Sequence, residues 1–202
     1  MLHQRDNAPK PHTRLDPATR RALLVEAAAD VFKGRELHDV RLEEVAEAAG
    51  VSRSLVYAYF GDRGGLVAAV YLQGLEQLDR ELGRALDDRL PDEVRLRRLI
   101  RRYLQFARDN EAAWQLMVAT GSQQHPAVQA ARRARIERIA ATWGSDSSAR
   151  LVARAVVGLL EAGAQDWLDY RDTGIERATR VLLAVLWEGL PSLRQHGFVA
   201  AS

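Results

Sequence analysis

The chain contains no cysteine among its 202 residues, so neither a disulfide nor a thiolate-ligated metal site is available to it. That absence fits a reducing compartment. No apolar run is long enough to cross a bilayer, and residues 1–16 lack the apolar core of a signal peptide. We therefore expect a soluble, cytoplasmic protein with no membrane partner.

The motifs that small helical enzymes use are also absent. The sequence has no His-Glu-x-x-His, no Glu-x-x-His, no Gly-x-Ser-x-Gly and no glycine loop that could cradle a phosphate. The five histidines and the acidic pairs at 87–88 and 92–93 share no helical spacing. We predict that the protein is not an enzyme and has no catalytic residue, metal or cofactor.

The chain also has no large excess of positive or of negative charge. The formal net charge is +2, and residues 1–63 balance 10 Lys and Arg against 10 Asp and Glu. Composition alone therefore does not indicate nucleic-acid binding, and any such function depends on where individual basic side chains are placed.

The apolar residues that are present repeat with helical spacing. Residues 1–16 show no periodicity and are predicted to form a flexible arm, after which Asp16 and Pro17 provide an N-cap and a first helical residue. A long helix is predicted by residues that recur at every fourth position: Leu66, Val70, Gly74, Leu78, Leu82 and Leu86. Shorter helices are predicted at 112–120 and from Pro126 to about residue 143. No run alternates with a period of two, so the predicted fold is all-α.

The stretch RLEEVAEAAGVSRSLVYAYFGDR, residues 41–63, predicts two short helices joined by a tight turn. Leu42, Val45 and Ala46 give the first helix an apolar face, and Gly50 suits the turn that follows. Ser52 is a good N-cap for the second helix. This pattern is what a helix-turn-helix requires, and the second helix projects polar side chains from its first turn.

Those side chains suit contacts with duplex DNA. Arg53 could bind a guanine, Ser54 a base or a phosphate, and Leu55 a thymine methyl group. Four further residues flank these positions and are predicted to contact backbone phosphates: Arg41, Tyr57, Tyr59 and Arg63. The sequence therefore predicts a nucleic-acid interface centred on the second helix.

Residues 17–70 resemble the DNA-binding domain of the tetracycline-repressor-like (TetR) family. The resemblance is carried by AAADVF and by LEEVAEAAGVSRSLVYAYFGDRGGLVAAV, over about fifty contiguous residues. It implies a homodimeric transcriptional repressor in which Ser52, Arg53, Ser54, Tyr57, Ala58 and Tyr59 lie at or near operator DNA. Arg41, Leu55, Ala58 and Arg63 depart from the family pattern, which often has Thr, Thr, His and Lys there.

The predicted domains are an arm (1–16), a three-helix helix-turn-helix domain (17–63) and a helical ligand-binding and dimerisation domain (64–202). The last two helices are apolar around most of their circumference, which favours burial against a partner. The resemblance implies that these helices form a four-helix interface between two copies. The predicted interface residues are Val156, Leu159, Leu160, Gly163, Leu183, Leu186 and Trp187.

The resemblance also implies a small-molecule effector bound in the C-terminal domain. Aromatic and soft side chains favour an apolar or aromatic effector. The candidate effector-binding residues are Tyr103, Phe106, Trp114, Met117, Val118 and Trp167. An alternative remains open, in which the helix-turn-helix docks a protein partner and the C-terminal domain has no effector pocket.

Overall fold

A computed structural model describes residues 16–33, 35, 39–85, 90–119 and 124–195. These residues form helices joined by turns and contain no strand, which confirms the all-α prediction. The predicted arm lies almost wholly outside the described residues. The helices are α1 (Pro17–Phe32), α2 (Leu42–Ala48), α3 (Arg53–Phe60), α4 (Arg63–Ala85), α5 (Asp92–Asp109), α6 (Glu111–Val118), α7 (Pro126–Ala140), α8 (Ser147–Tyr170) and α9 (Ile175–Gln195).

Side-chain caps begin several of these helices where the sequence indicates. The Asp16 carboxylate accepts hydrogen bonds from the amides of Ala18 and Thr19, both at 3.0 Å, and Pro17 opens α1. At the start of α7, His125 Nδ1 accepts from the amide of Ala127 at 3.2 Å. These contacts satisfy amide groups that have no partner inside the helix.

The N-terminal core joins α1, α2 and α3 to the first two turns of α4. Its buried centre includes Leu24 and Ala28 of α1, Val45 of α2, Val56 of α3 and Leu66 of α4. Burying apolar faces of helices too short to be stable alone is what holds α2 and α3 in place.

A larger core is formed by α4 to α9, with α5 at its centre. Helix α5 packs against α4, α8 and α9, and its Ile100, Leu104 and Ala107 are fully buried. The rings of Tyr103 and Trp114 meet in a T-shaped, edge-to-face arrangement at a centroid distance of 5.3 Å. The Trp114 indole N–H donates to Gln165 Oε1 at 3.2 Å, which links α6 to α8.

Helices α4 and α6 belong to both cores. Leu66 of α4 lies in the N-terminal core, whereas Leu78 lies in the larger one. Helix α6 divides similarly, since Leu116 packs in the N-terminal core and Met117 in the larger core. Any displacement of α4 or α6 in the larger domain therefore acts directly on the packing that supports α2 and α3.

Candidate functional site

The turn between α2 and α3 is set by backbone hydrogen bonds and by one glycine. The amide of Val51 donates to the carbonyl of Ala46 at 2.9 Å, and Gly50 adopts a φ of +64° that side chains disfavour. The Ser52 hydroxyl then accepts from the amide of Leu55 at 3.3 Å and caps α3. The structure thus contains the helix-turn-helix that residues 41–63 predict.

One side of α3 is held by the N-terminal core. Val56 is fully buried and Phe60 nearly so, while the Arg21 guanidinium lies 5.4 Å from the centre of the Phe60 ring. Tyr59 is half-buried and packs on the edge of the same core. Leu55, nearer the start of the helix, is also half-buried. These contacts determine which face of α3 is left for solvent.

The opposite face of α3 is exposed and carries four of the predicted DNA contacts. Arg53, Ser54, Tyr57 and Ala58 follow helical spacing along this face, and Tyr57 is 47% exposed despite its size. The Ser54 hydroxyl lies 3.0 Å from that of Ser52. A convex face of this kind, at the N-terminal end of a helix, has the shape that enters a major groove.

Two further predicted contacts, Arg41 and Arg63, lie outside α3. Arg41 stands immediately before α2 with 77% of its side chain exposed, and Arg63 is exposed at the first residue of α4. Arg41 and Arg63 therefore flank the helix-turn-helix along the chain, and both are exposed to solvent. Leu55 and Tyr59 are the two that are partly withdrawn into packing.

Two carboxylates of α2 hold the basic side chains beside this face. Glu43 Oε1 lies 3.8 Å from Arg53 Nη1, and Glu44 Oε1 accepts from Arg41 Nε at 3.2 Å. Glu44 also pairs with Arg35, and this hydrogen bond, with that from Arg41, holds the pKa of Glu44 below its ordinary value. Neither glutamate is predicted as part of the site from the sequence, because the Glu43–Arg53 contact joins two helices across the turn.

The structure places the six predicted effector residues in the larger core or packed against it. Tyr103, Phe106, Trp114 and Met117 are buried side chains of the larger core. Trp167 is half-buried and its indole donates to the carbonyl of Thr173 at 2.6 Å, while Val118 packs partly buried at the core edge.

A cavity of about 450 Å³ lies instead between α4, α7 and α8, and none of the six predicted residues lines it. The sequence pattern does not predict this site, because its charged residues lie on separate helices and each has the spacing of a solvent-exposed helix face. The lining residues are Tyr71, Leu75, Gln129, Arg132, Arg133, Arg135, Ile136, Arg154, Val157, Gly158 and Glu161.

The predicted interface residues of α8 and α9 pack wholly or partly within the chain. Leu160, Leu183 and Leu186 are buried in the core of the chain itself, and Val156, Leu159 and Trp187 pack partly buried against it. A Cβ on Gly163 would lie 2.6 Å from Leu182 Cδ2, so this glycine permits close approach of α8 to α9 within one chain. Leu160, Leu183 and Leu186 are therefore used in internal packing, whereas Val156, Leu159 and Trp187 keep part of their surface exposed.

Neither a metal centre nor a membrane helix emerges from the described residues. Within the described ranges, no three His, Asp or Glu side chains are arranged to hold a metal ion. None of the helices there combines the length and the apolar character that a transmembrane span needs.

Two family models match the chain. The model described as "Bacterial regulatory proteins, tetR family" matches residues 24–70, and the model "Tetracyclin repressor-like, C-terminal domain" matches residues 93–189. The first match spans α2 and α3 with parts of α1 and α4, and the second spans the helices from α5 to most of α9.

Individual proteins agree with these matches. The HTH-type transcriptional activator FasR of Mycolicibacterium smegmatis is 26% identical over 188 residues, covering 88% of this chain and 85% of FasR. A TetR-like transcriptional regulator from Rhodococcus sp. RHA1 superposes with a TM-score of 0.67 at 29% identity, covering 88% of this chain and 99% of that one. FadR from Bacillus subtilis, solved in complex with stearoyl-CoA, shares the fold, with a TM-score of 0.65 at 12% identity over 82% of this chain and 96% of that one.

The two family models together cover more than half of the chain, and both describe regulators rather than enzymes. The α2–turn–α3 geometry is the DNA-binding unit of the first model. The chain therefore belongs to the TetR family of transcriptional regulators and binds DNA through its helix-turn-helix.

Proposed function

We propose that the protein is a homodimeric repressor that binds an operator through α3 of each subunit and is released by a small molecule bound in the C-terminal domain. The observation that carries this proposal is the exposed face of α3, with Arg53, Ser54 and Tyr57 projecting from a helix whose other side is buried. In a dimer, two such helices about 34 Å apart would enter successive major grooves on one side of the duplex.

Within this interface each side chain has a proposed role. Arg53 and Ser54 read base edges, with Leu55 at the margin against a thymine methyl group. Tyr57 binds a backbone phosphate, and Ala58 allows α3 to approach the groove closely. Four more residues contact the DNA backbone phosphates: Arg41, Ser52, Tyr59 and Arg63. Ser52 contributes through the N-terminus of α3.

DNA binding is tested with fluorescently labelled duplexes from the region flanking the protein's own gene, titrated over a salt series. We expect tight binding that weakens with salt, because phosphate contacts release counterions. Changing Arg53 and Tyr57 together to Ala should lower the affinity at least tenfold, since a lost base contact alone costs about 1–3 kcal/mol.

The matched control is Arg98→Ala, which removes an equal charge from an exposed position on α5. Loss of affinity in both variants would mean that net charge, rather than the α3 face, is responsible. Equal affinity of the wild type for every duplex, independent of salt, would favour the alternative in which the helix-turn-helix docks a protein.

The exposed faces of α8 and α9 support dimerisation. Leu151 of α8 is 69% exposed, and Val181 and Val185 of α9 are each 56% exposed in the single chain. Small residues, Ala155 and Gly158, continue the exposed α8 face with helical spacing. Exposed apolar side chains on two adjacent helices are typical of a subunit interface.

Dimerisation is tested by sedimentation equilibrium of the wild type and of the Val185→Asp variant. We expect a dimer for the wild type and a shift towards monomer for the variant, because a buried carboxylate would lose its hydration. Leu23→Asp, at an exposed apolar position on α1, is the control and should remain dimeric. A monomeric wild type at concentrations at which it binds operator would contradict the proposed dimer.

Repression and release are tested with a reporter gene placed behind the operator found above. Occlusion of the promoter predicts lower reporter output when the protein is present. FasR is named an activator, so a rise in output is the outcome that would reverse this part of the proposal. FadR from Bacillus subtilis binds stearoyl-CoA, which supports testing amphipathic small molecules as effectors.

A further inference from the structure

The cavity between α4, α7 and α8 combines an apolar surface with an excess of positive charge. Leu75, Ile136 and Val157 provide apolar side chains from three different helices. Four arginines line the same space, against a single carboxylate, that of Glu161. A volume of about 450 Å³ lies within the range of about 300–1,000 Å³ that is usual for ligand pockets.

Two of the four arginines are already neutralised within the protein. Arg132 donates to Glu161 Oε2 and to the Tyr71 hydroxyl, both at 3.0 Å. Arg135 is only 8% exposed and lies 3.0 Å from Asp79. These pairs explain how the charges of Arg132 and Arg135 are tolerated next to a packed core.

The other two arginines have no such partner. Arg133 of α7 and Arg154 of α8 are exposed at the cavity, and neither makes a hydrogen bond or an ion pair with any residue that the structure describes. Guanidinium groups bind carboxylates and phosphates through two parallel hydrogen bonds. Two cations without partners can pair with an anionic head group, and the apolar surface beside them can hold the apolar part of the same ligand.

We propose that this cavity binds an amphipathic organic anion, whose carboxylate or phosphate group pairs with Arg154 and Arg133 and whose apolar part lies against Leu75, Ile136 and Val157. The inference rests on the proposed function, because it names the chemical class of the effector. It replaces the purely apolar or aromatic effector that the sequence predicts.

The same cavity is connected to the DNA-binding domain through α4. Arg132 ties Tyr71 of α4 to Glu161 of α8 across α7. An anion entering the cavity competes with Glu161 for Arg132 and so alters the contact between α7 and α4. The first turns of α4 lie in the core that supports α3, so a ligand that prefers a shifted α4 lowers the affinity for operator.

The test is calorimetric titration of the full-length protein with three ligands of equal chain length: sodium decanoate, decyl phosphate and 1-decanol. We expect both anions to bind at least tenfold more tightly than the alcohol. Arg154→Gln should weaken the anions about tenfold, in keeping with the loss of one charged hydrogen bond, and leave 1-decanol unchanged. Glu161→Gln should strengthen them, because it removes the one competing carboxylate of the lining.

Arg98→Gln, an exposed arginine of α5 with no ion pair within the described residues, is the control and should leave all three affinities unchanged. Thermal denaturation of each variant separates a change of site from a loss of folding. Equal binding of decanol and the anions, a parallel loss in Arg154→Gln and Arg98→Gln, or no binding of any probe would overturn the inference.

A second measurement separates this inference from the proposed function. Operator binding is repeated with each probe at saturation. Anions that bind without changing operator affinity would support the cavity as an anion site and contradict effector release. Operator binding by a protein that binds none of the probes would leave DNA recognition intact and refute the anionic ligand class.

Discussion

Replacing Gly65 with alanine should destabilise the protein, although alanine is the better helix former. Gly65 lies in the first turn of α4, directly after the turn that ends α3. A Cβ at this position would lie 2.0 Å from the carbonyl oxygen of Phe60, which belongs to the backbone and cannot rotate away. The start of α4 would therefore have to move away from the end of α3.

The expected magnitude follows from two opposing contributions. Forced backbone shifts in a packed region cost about 1–3 kcal/mol, and an overlap with a fixed backbone atom belongs at the upper end. The better helix propensity of alanine returns about 1 kcal/mol. The net loss is therefore about 2 kcal/mol, which lowers the melting temperature by roughly 4–8 °C in a protein of this size.

The assay is thermal denaturation followed by circular dichroism, with Gly83→Ala as the matched control. Gly83 lies in the same helix, is exposed, and has open space where its Cβ would stand. That variant should be stabilised, by about 0.5–1 kcal/mol, because only the helix propensity changes. A Gly65→Ala protein as stable as Gly83→Ala would refute the steric argument.

Three further predictions concern the DNA-binding face, the core and the pH response. Glu43→Gln should tighten DNA binding by less than about fivefold in anisotropy titrations, because it frees Arg53 from an exposed ion pair. A loss of affinity in Glu43→Gln would contradict this, as would an equal gain in the control variant Glu47→Gln. Leu104→Ala should lower the free energy of unfolding in denaturant titrations by about 2–5 kcal/mol, since Leu104 is fully buried. Hydrogen bonds from Thr19 lower the pKa of Asp16 in the folded protein. The ionised Asp16 therefore stabilises the fold fully above its unfolded pKa of 3.8, and this stabilisation is lost as the pH falls through the lower folded pKa. Asp16→Asn should therefore show a smaller drop in melting temperature on acidification than the wild type, and equal drops would contradict the assignment.

Local chemistry made the N-terminal domain predictable from its sequence. Caps and turns depend on neighbours along the chain, so Asp16, Gly50 and Ser52 indicate where helices begin and end before any packing is known. The exposed face of α3 follows almost as directly, because Val56 and Phe60 must be buried and the residues opposite them cannot be.

The contacts between helices could not be predicted from the sequence. Glu43 reaches Arg53 only because the turn folds α2 against α3, and the cavity exists only because α7 and α8 bring arginines of separate helices beside Tyr71. Periodicity describes one helix at a time, so it cannot show which charged faces converge.

The chain's sequence by itself determined an all-α fold, a helix-turn-helix and two strongly apolar C-terminal helices. Only the tertiary structure decided how those last helices divide their apolar residues, with Leu160 turned into the core and Leu151 left at the surface. When a helix is apolar on most sides, its own pattern does not select an inner face. That choice depends on the shapes of the helices packed against it.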